Sequence, residues 1–178
     1  QVRVTGPDRQ EVRRLAGDGL RVAFTYCGSE ERARALEGEC AGAAKGFVLD
    51  LRDRERPGAL VEEVEAAMGA VRGLHIVELG CGTGRHALRL AAAGGHITAM
   101  DFSEGMLGRA RDKAAKERLD IRWLVHDLSK PVPLESALFD RVLCALVLDH
   151  VHFLDHLFAE MARLVRPASS AMPGRIVI

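Results

Sequence analysis

Apolar, strand-like runs and amphipathic, helix-like runs alternate along the whole 178-residue chain. That alternation leaves few folds open. Strand patterns fall at VRVTG (2–6), LRVAFTY (20–26), KGFVLDL (45–51), LHIVELG (74–80), HITAMD (96–101), IRWLVHDL (121–128), DRVLCALVL (140–148) and RIVI (175–178). Between them lie helix patterns at 8–19, 29–42, 56–71, 85–95, 103–119 and 153–165. Near-continuous apolar strands separated by helix-length segments are the pattern of βαβ units on a sheet buried on both faces. The expectation is an α/β fold of three layers, with about eight mostly parallel strands and helices on both faces.

The pattern also repeats. Each half runs strand, turn, helix, strand, helix, strand, and each third strand closes on Asp-Leu, in LDLRD (49–53) and HDLSK (126–130). This unit is the mononucleotide-binding half of a Rossmann-like sheet. The sequence therefore predicts two such halves, 1–72 and 73–178, in one continuous sheet. Two full domains would be cramped at this length. Formal net charge is zero, with 25 basic and 25 acidic residues, which argues against a nucleic-acid binder driven by bulk charge. Cys27, Cys40, Cys81 and Cys144 form no metal-type spacing and read as reduced thiols of a cytoplasmic protein. No apolar run reaches membrane-spanning length, so no membrane partner is expected.

The chemistry concentrates in HIVELGCGTGRHALRL (75–90). Glu78, Gly80, Gly82 and Gly84 make an E-x-G-x-G-x-G turn between a strand and a helix. Glycines there let the backbone bend sharply and approach a ligand without a Cβ in the way. The helix that follows offers unpaired N–H groups and a positive dipole end. Asp101 ends the next strand, 17 residues after Gly84, close to the ~20 at which a carboxylate grips ribose hydroxyls in nucleotide folds. Plainer readings stand beside these: the glycines as a tight turn alone, Phe102 as core at a strand end, Asp127 as a turn cap. His152 and His156 share a helical face, but two histidines without a convergent carboxylate read as a solvated helix start, and no metal is expected.

The run VELGCGTGRHALRLAAAGGHITAMDFSEGMLGRARDKA (77–114) resembles class I S-adenosylmethionine-dependent methyltransferases, and the likeness extends over about 73–178. The resemblance implies S-adenosylmethionine, or its product S-adenosylhomocysteine, as a small-molecule cofactor. It implies that Gly80, Cys81, Gly82 and Gly84 cradle the methionine moiety and that Glu78 orders that end. Asp101 would hold the ribose, Phe102 and Met106 would flank the adenine, and Asp127, between His126 and Leu128, would read the adenine amino group. Leu148–His152 would line the reacting centre, with His150 or His152 as a candidate base. No catalytic residue is assigned. The family continues past its fifth strand to a two-strand hairpin, whereas this sequence ends at Ile178, so the acceptor and catalysis itself stay open.

Residues 1–72 resemble the first half of short-chain dehydrogenase/reductases of the 3-oxoacyl-carrier-protein reductase type, through VTG (4–6), GDGLRVAFTYCGSEERARALEGECAG (17–42) and KGFVLDL (45–51). In that likeness Tyr26 and Ser29 would lie near a ribose phosphate and Asp50-Leu51 near the adenine. The departures exclude the reductase reaction. Thr5-Gly6 is followed by Pro7, Asp8, Arg9, Gln10 and Glu11 rather than by further glycines, and Tyr26, the only tyrosine, has Glu30 four residues later where a lysine is needed. NADP is therefore not expected. The alternative to a working methyltransferase is a recombined or designed (de novo) Rossmann-fold chimera with no activity of its own. The halves are expected to join with strand 2–6 antiparallel to 175–178, or with the first half parallel beside 121–128. Failing either, the same edges would pair between chains in a swapped homodimer rather than within a monomer.

Overall fold

A computed structural model of the chain describes residues 9–26, 30–48, 65–145, 154–167, 169–170 and 174–178. Seven described strands form one sheet: β1 (Arg21–Tyr26), β2 (Ala44–Val48), β3 (His75–Leu79), β4 (His96–Asp101), β5 (Ile121–Val125), β6 (Arg141–Leu143) and β7 (Arg175–Val177). Their order is β2-β1-β7-β6-β3-β4-β5, and every pairing is parallel. The described helices are α1 (Arg9–Gly17), α2 (Glu30–Glu39), α3 (Arg85–Ala92), α4 (Glu104–Glu117) and α5 (Leu154–Leu164), with a further helical turn at 65–68. The α/β, Rossmann-like fold read from the sequence is the fold observed. Among the described residues no helix is long and apolar enough to cross a membrane.

The period of two in the strands sorts the core into two layers. Val22, Phe24, Val77, Leu79, Val142 and Ile176 face one side, where α1, α2 and α5 supply Val12, Leu15, Ala33, Leu36, Leu157 and Phe158. Ala23, Ile76, Ala99, Leu143 and Val177 face the other, against Met68, Val71, Leu88, Leu90 and Leu107. β3 lies between β6 and β4 and is buried at 76–79 on both faces, which explains its unbroken apolar run. β5 ends at Val125, short of the expected 128, because its register partner Asp101 is the last residue of β4 and no neighbour remains to pair beyond it.

The junction of the two halves differs from both arrangements expected from the sequence. Strand pattern 2–6 lies outside the described residues. β1 pairs instead with β7, in parallel, with Arg21 opposite Arg175 and Val22 opposite Ile176. The reason lies in the connection. β2 and β3 are four strand spacings apart in the sheet order, about 19 Å at ~4.8 Å each. A helix-bearing segment leaves the C-terminal end of β2 and must return to the N-terminal end of β3, as in any parallel crossover.

Asp140, which is almost fully buried, fastens the N-terminal ends of three strands. The His75 N–H donates to its Oδ2 (2.8 Å) and Arg166 donates to its Oδ1 (2.5 Å). Its backbone N–H donates to His75 O (2.8 Å), and its carbonyl accepts from the Arg175 N–H (3.0 Å). Asp140→Ala should destabilise the fold by about 2–4 kcal/mol, because it strands a guanidinium and a backbone donor together. Urea unfolding showing a loss below about 1 kcal/mol would remove Asp140 from this role.

Candidate functional site

The C-terminal ends of β3 and β4 meet at the glycine turn. The N–H groups of Gly80 and Cys81 both donate to Met100 O (2.8 and 2.9 Å), which locks the turn to the end of β4. Gly80, Gly82 and Gly84 have φ of 74°, 55° and 78°, a region that residues with a Cβ rarely adopt. The glycines do different jobs. A Cβ on Gly84 would stand 3.0 Å from Ala110 Cβ and 3.2 Å from Trp123 Cη2, so Gly84 permits close packing of α3 against α4 and β5. A Cβ on Gly82 would meet nothing within 4 Å, so Gly82 borders open space. Gly84 is the N-cap of α3 and no side chain caps that end.

Asp101 closes the turn from the other side. Its Oδ2 accepts from the Gly82 N–H (2.8 Å) and its Oδ1 from the Ser103 N–H (2.9 Å). A carboxylate has about four acceptor positions, so each oxygen keeps capacity for a ligand hydroxyl. Ser103 in turn caps α4, accepting from the Met106 N–H at 3.3 Å.

Glu78 lies beneath the turn, 3% exposed, and its Oε2 has no hydrogen-bond partner. Burial pushes its carboxyl up to about 8. The Ala87 N–H acts in the opposite direction, and the neighbouring Asp101 charge raises it further. Glu78 thus holds its proton through neutral pH, beside an Asp101 carboxyl that is held by backbone donors. Cys81 is buried beside them, and burial followed by these two carboxyl groups pushes its thiol up. It is not the kind of thiol that reacts as a thiolate.

Exposed apolar residues lie close to Asp101 in sequence and register. Phe102 is 76% exposed and Met106 41%, so Phe102 is not core at a strand end. Val125, which the sequence reading passed over, lies in register beside Asp101 and is 54% exposed. Its signal was weak, since an edge-strand valine is ordinary until its neighbours are known. Asp127 is exposed, with Oδ1 accepting from the Ser129 N–H at 3.0 Å. That hydrogen bond, with the Ser129 side chain, holds the Asp127 carboxyl below the usual carboxylate range. This is the geometry of the turn-cap reading. The chain reaches Asp127 through His126, whose N–H donates to Asp101 O (3.0 Å), while Leu128 is buried. Leu148–His152 lie outside the described residues. Among the described residues no three His, Cys, Asp or Glu side chains are grouped to hold a metal ion.

A doubly wound parallel sheet with a glycine turn and a buried acidic strand end defines a nucleotide-cofactor class of α/β protein. Comparison with known proteins narrows the class: residues 76–168 match the family model described as "Methyltransferase domain", and the chain belongs to that family. It is 36% identical over 112 residues to a demethylmenaquinone methyltransferase of Clavibacter sepedonicus, covering 63% of this chain and 43% of that protein. It is 28% identical over 97 residues to a ubiquinone biosynthesis O-methyltransferase of Coxiella burnetii, covering 54% of this chain and 41% of that one. The crystal structure of an S-adenosylmethionine-dependent methyltransferase from Mesorhizobium loti is similar at TM-score 0.54 and 33% identity, over 60% of this chain and 48% of that one. The chain thus spans less than half the length of these relatives.

The proton on Glu78 has a measurable consequence. A carboxyl raised on folding contributes no penalty below its unfolded value near 4.5, and stability is lost as pH rises from there to about 8. Within that window the slope attributable to this group approaches about 1.4 kcal/mol per pH unit. Glu78→Gln, which mimics the protonated form, should flatten that part of the profile and be more stable than wild type at pH 8. Urea unfolding at pH 5, 6.5 and 8 without ligand tests this, and parallel profiles for the two proteins would exclude it.

Proposed function

We propose that the chain binds S-adenosylmethionine, or S-adenosylhomocysteine, at the glycine turn and transfers a methyl group to a small-molecule acceptor. The observation that carries this reading is the Asp101 carboxylate. It is fixed by the Gly82 and Ser103 N–H groups, retains acceptor capacity, and is bordered by open space at Gly82. The residues present fit the cofactor. The orphaned Glu78 Oε2 is a polar atom in want of a partner, and the exposed faces of Phe102, Met106 and Val125 offer an apolar bed for a purine.

In this reading Asp101 accepts hydrogen bonds from ribose hydroxyls. The backbone at Gly80–Gly82 closes around the methionyl end, and Glu78 supplies a neutral carboxyl below it. When bound, S-adenosylmethionine supplies a methyl group on a sulfonium, which leaves as a neutral thioether. The protein's part is then alignment and exclusion of water, and positioning alone accounts for a large share of the barrier in such transfers. No residue among those described is assigned as a base. The names of the relatives make demethylmenaquinone the first acceptor to assay.

The reductase-like residues 1–72 are proposed to serve as a sheet extension, and a recombined origin for the chain rests on that likeness. Supporting the extension, β1 and β2 continue the sheet beyond β7, and α1 shares a core with α5 through Val12 and Leu15.

Calorimetric titration with S-adenosylhomocysteine tests the proposal. Wild type should bind, and Asp101→Ala should lose about 1–3 kcal/mol of affinity, as two hydroxyls lose a charged acceptor. Equal affinities, with the variant folded by circular dichroism, would take Asp101 out of the site.

A further inference from the structure

The opposite end of the sheet carries an arrangement that the methyltransferase reading does not use. Arg21, Arg175 and Arg141 are the first residues of β1, β7 and β6, three adjacent strands, and they are in register. Residues in register on neighbouring strands point to the same face, so three guanidinium groups stand in a row. Like charges directly opposite one another are unfavourable. Among the described residues, no carboxylate forms a salt bridge with any of the three. Asp140, the nearest in sequence, is committed to Arg166 and to the His75 N–H.

Part of the row has a structural explanation. Arg175 Nη1 donates to Ala67 O (2.5 Å) and Arg141 Nε to Met68 O (3.0 Å). These are carbonyls at the C-terminal end of a helical turn, where cations are favoured. Arg141 Nη1 also donates to Asp140 O (2.8 Å), so two donors of Arg141 and one of Arg175 are engaged. These contacts do not account for Arg21, which makes none of them, or for the remaining donors of Arg175.

Arg21 and Arg175 open into a cavity of about 620 Å³ whose wall also carries Arg34 and Lys45. Its wall also includes Ala23 and Ala67, on the same side of the sheet as the two arginines. Glu37 is the one acidic residue among the described lining, and it is engaged by Lys45 (3.2 Å) and by the Gly46 N–H (2.7 Å). Arg34 is paired with Glu30 at an exposed position, where a pair contributes little and exchanges readily. Among the described lining, Arg21 and Arg175 are thus the cations without a carboxylate partner, with Arg34 and Lys45 in exposed pairs beside them. The cavity volume lies in the range of small-molecule pockets. Burial first, and then the charge of the neighbouring arginine, holds Arg175 and Arg141 below the ordinary arginine value, with Asp140 acting the other way on Arg141.

We propose that this cavity, at the N-terminal ends of β1, β2 and β7, is a binding site for a small phosphorylated anion carrying two or more negative charges. Arg21 and Arg175 grip the phosphate, and Arg34 and Lys45 close over it. Guanidinium groups match phosphate oxygens through paired N–H donors. The concave wall selects a small molecule over an extended polyanion. The site is separate from the glycine turn, since Gly82 follows β3 and Asp101 is the last residue of β4, at the C-terminal ends of these strands. Its occupation does not depend on the cofactor reading, and either can fail alone.

The test is calorimetric titration of the whole chain with inorganic pyrophosphate and with inorganic phosphate at low ionic strength, against sodium chloride of matched ionic strength. Saturable one-site binding of pyrophosphate, tighter than phosphate, is expected. Arg21→Gln and Arg34→Gln should each weaken it about tenfold. Both positions are exposed, and circular dichroism melts check that the variants fold. Arg122→Gln, on the far edge strand β5, should change the affinity by less than about twofold. Absence of saturable binding, or pyrophosphate binding by Arg21→Gln and Arg34→Gln as tight as wild type, would overturn the proposal. So would an equal loss in Arg122→Gln, which would mark nonspecific charge attraction.

Discussion

The glycine turn depends on a carboxylate whose described partners are all backbone. Asp101 accepts from Gly82 across the turn and from Ser103 at the start of α4. One side chain thereby fixes the exit of β4, the apex of the glycine turn and the first turn of the next helix. Backbone donors suit this task because they cannot rotate away or be titrated. The arrangement is set before any ligand arrives, which is the condition for a site that binds without reorganising.

Glu78 shows the cost of that arrangement. Its carboxyl is buried under the same turn, beside a charge already satisfied, and its outer oxygen has nothing to bond. A second charge there would be unpaired in a low-dielectric interior, so the group keeps its proton. Burial reaches further, to Cys144 at the end of β6, whose thiol is pushed up to about 12, with Glu78 adding to the effect. The region is acid-lined yet carries little free charge.

Much of this was legible in the residues. The glycine spacing and Asp101 announce a strand–turn–helix with an acidic strand end, because local backbone geometry demands those residue types at those places. Helix and strand positions in 73–145 follow from apolar periods of 3.6 and 2. What the sequence hid depends on neighbours far away in the chain. The parallel junction of β1 with β7 is set by where a crossover helix must deliver the chain. The exposure of Phe102 and Val125 depends on β5 being an edge strand, which no local pattern records. The row Arg21, Arg175, Arg141 joins residues more than a hundred positions apart and becomes visible only once strand order and register are known.

Gly84 and Trp123 bring an unplanned convenience. A Cβ on Gly84 would stand 3.2 Å from the Trp123 ring, and the chain has only this one tryptophan. Its emission therefore reports from a single known point, on β5 and near the start of α3 at the glycine turn. Any rearrangement of that turn changes the packing around one fluorophore. The protein thus carries its own optical probe of the turn, with no label to attach and no background to subtract.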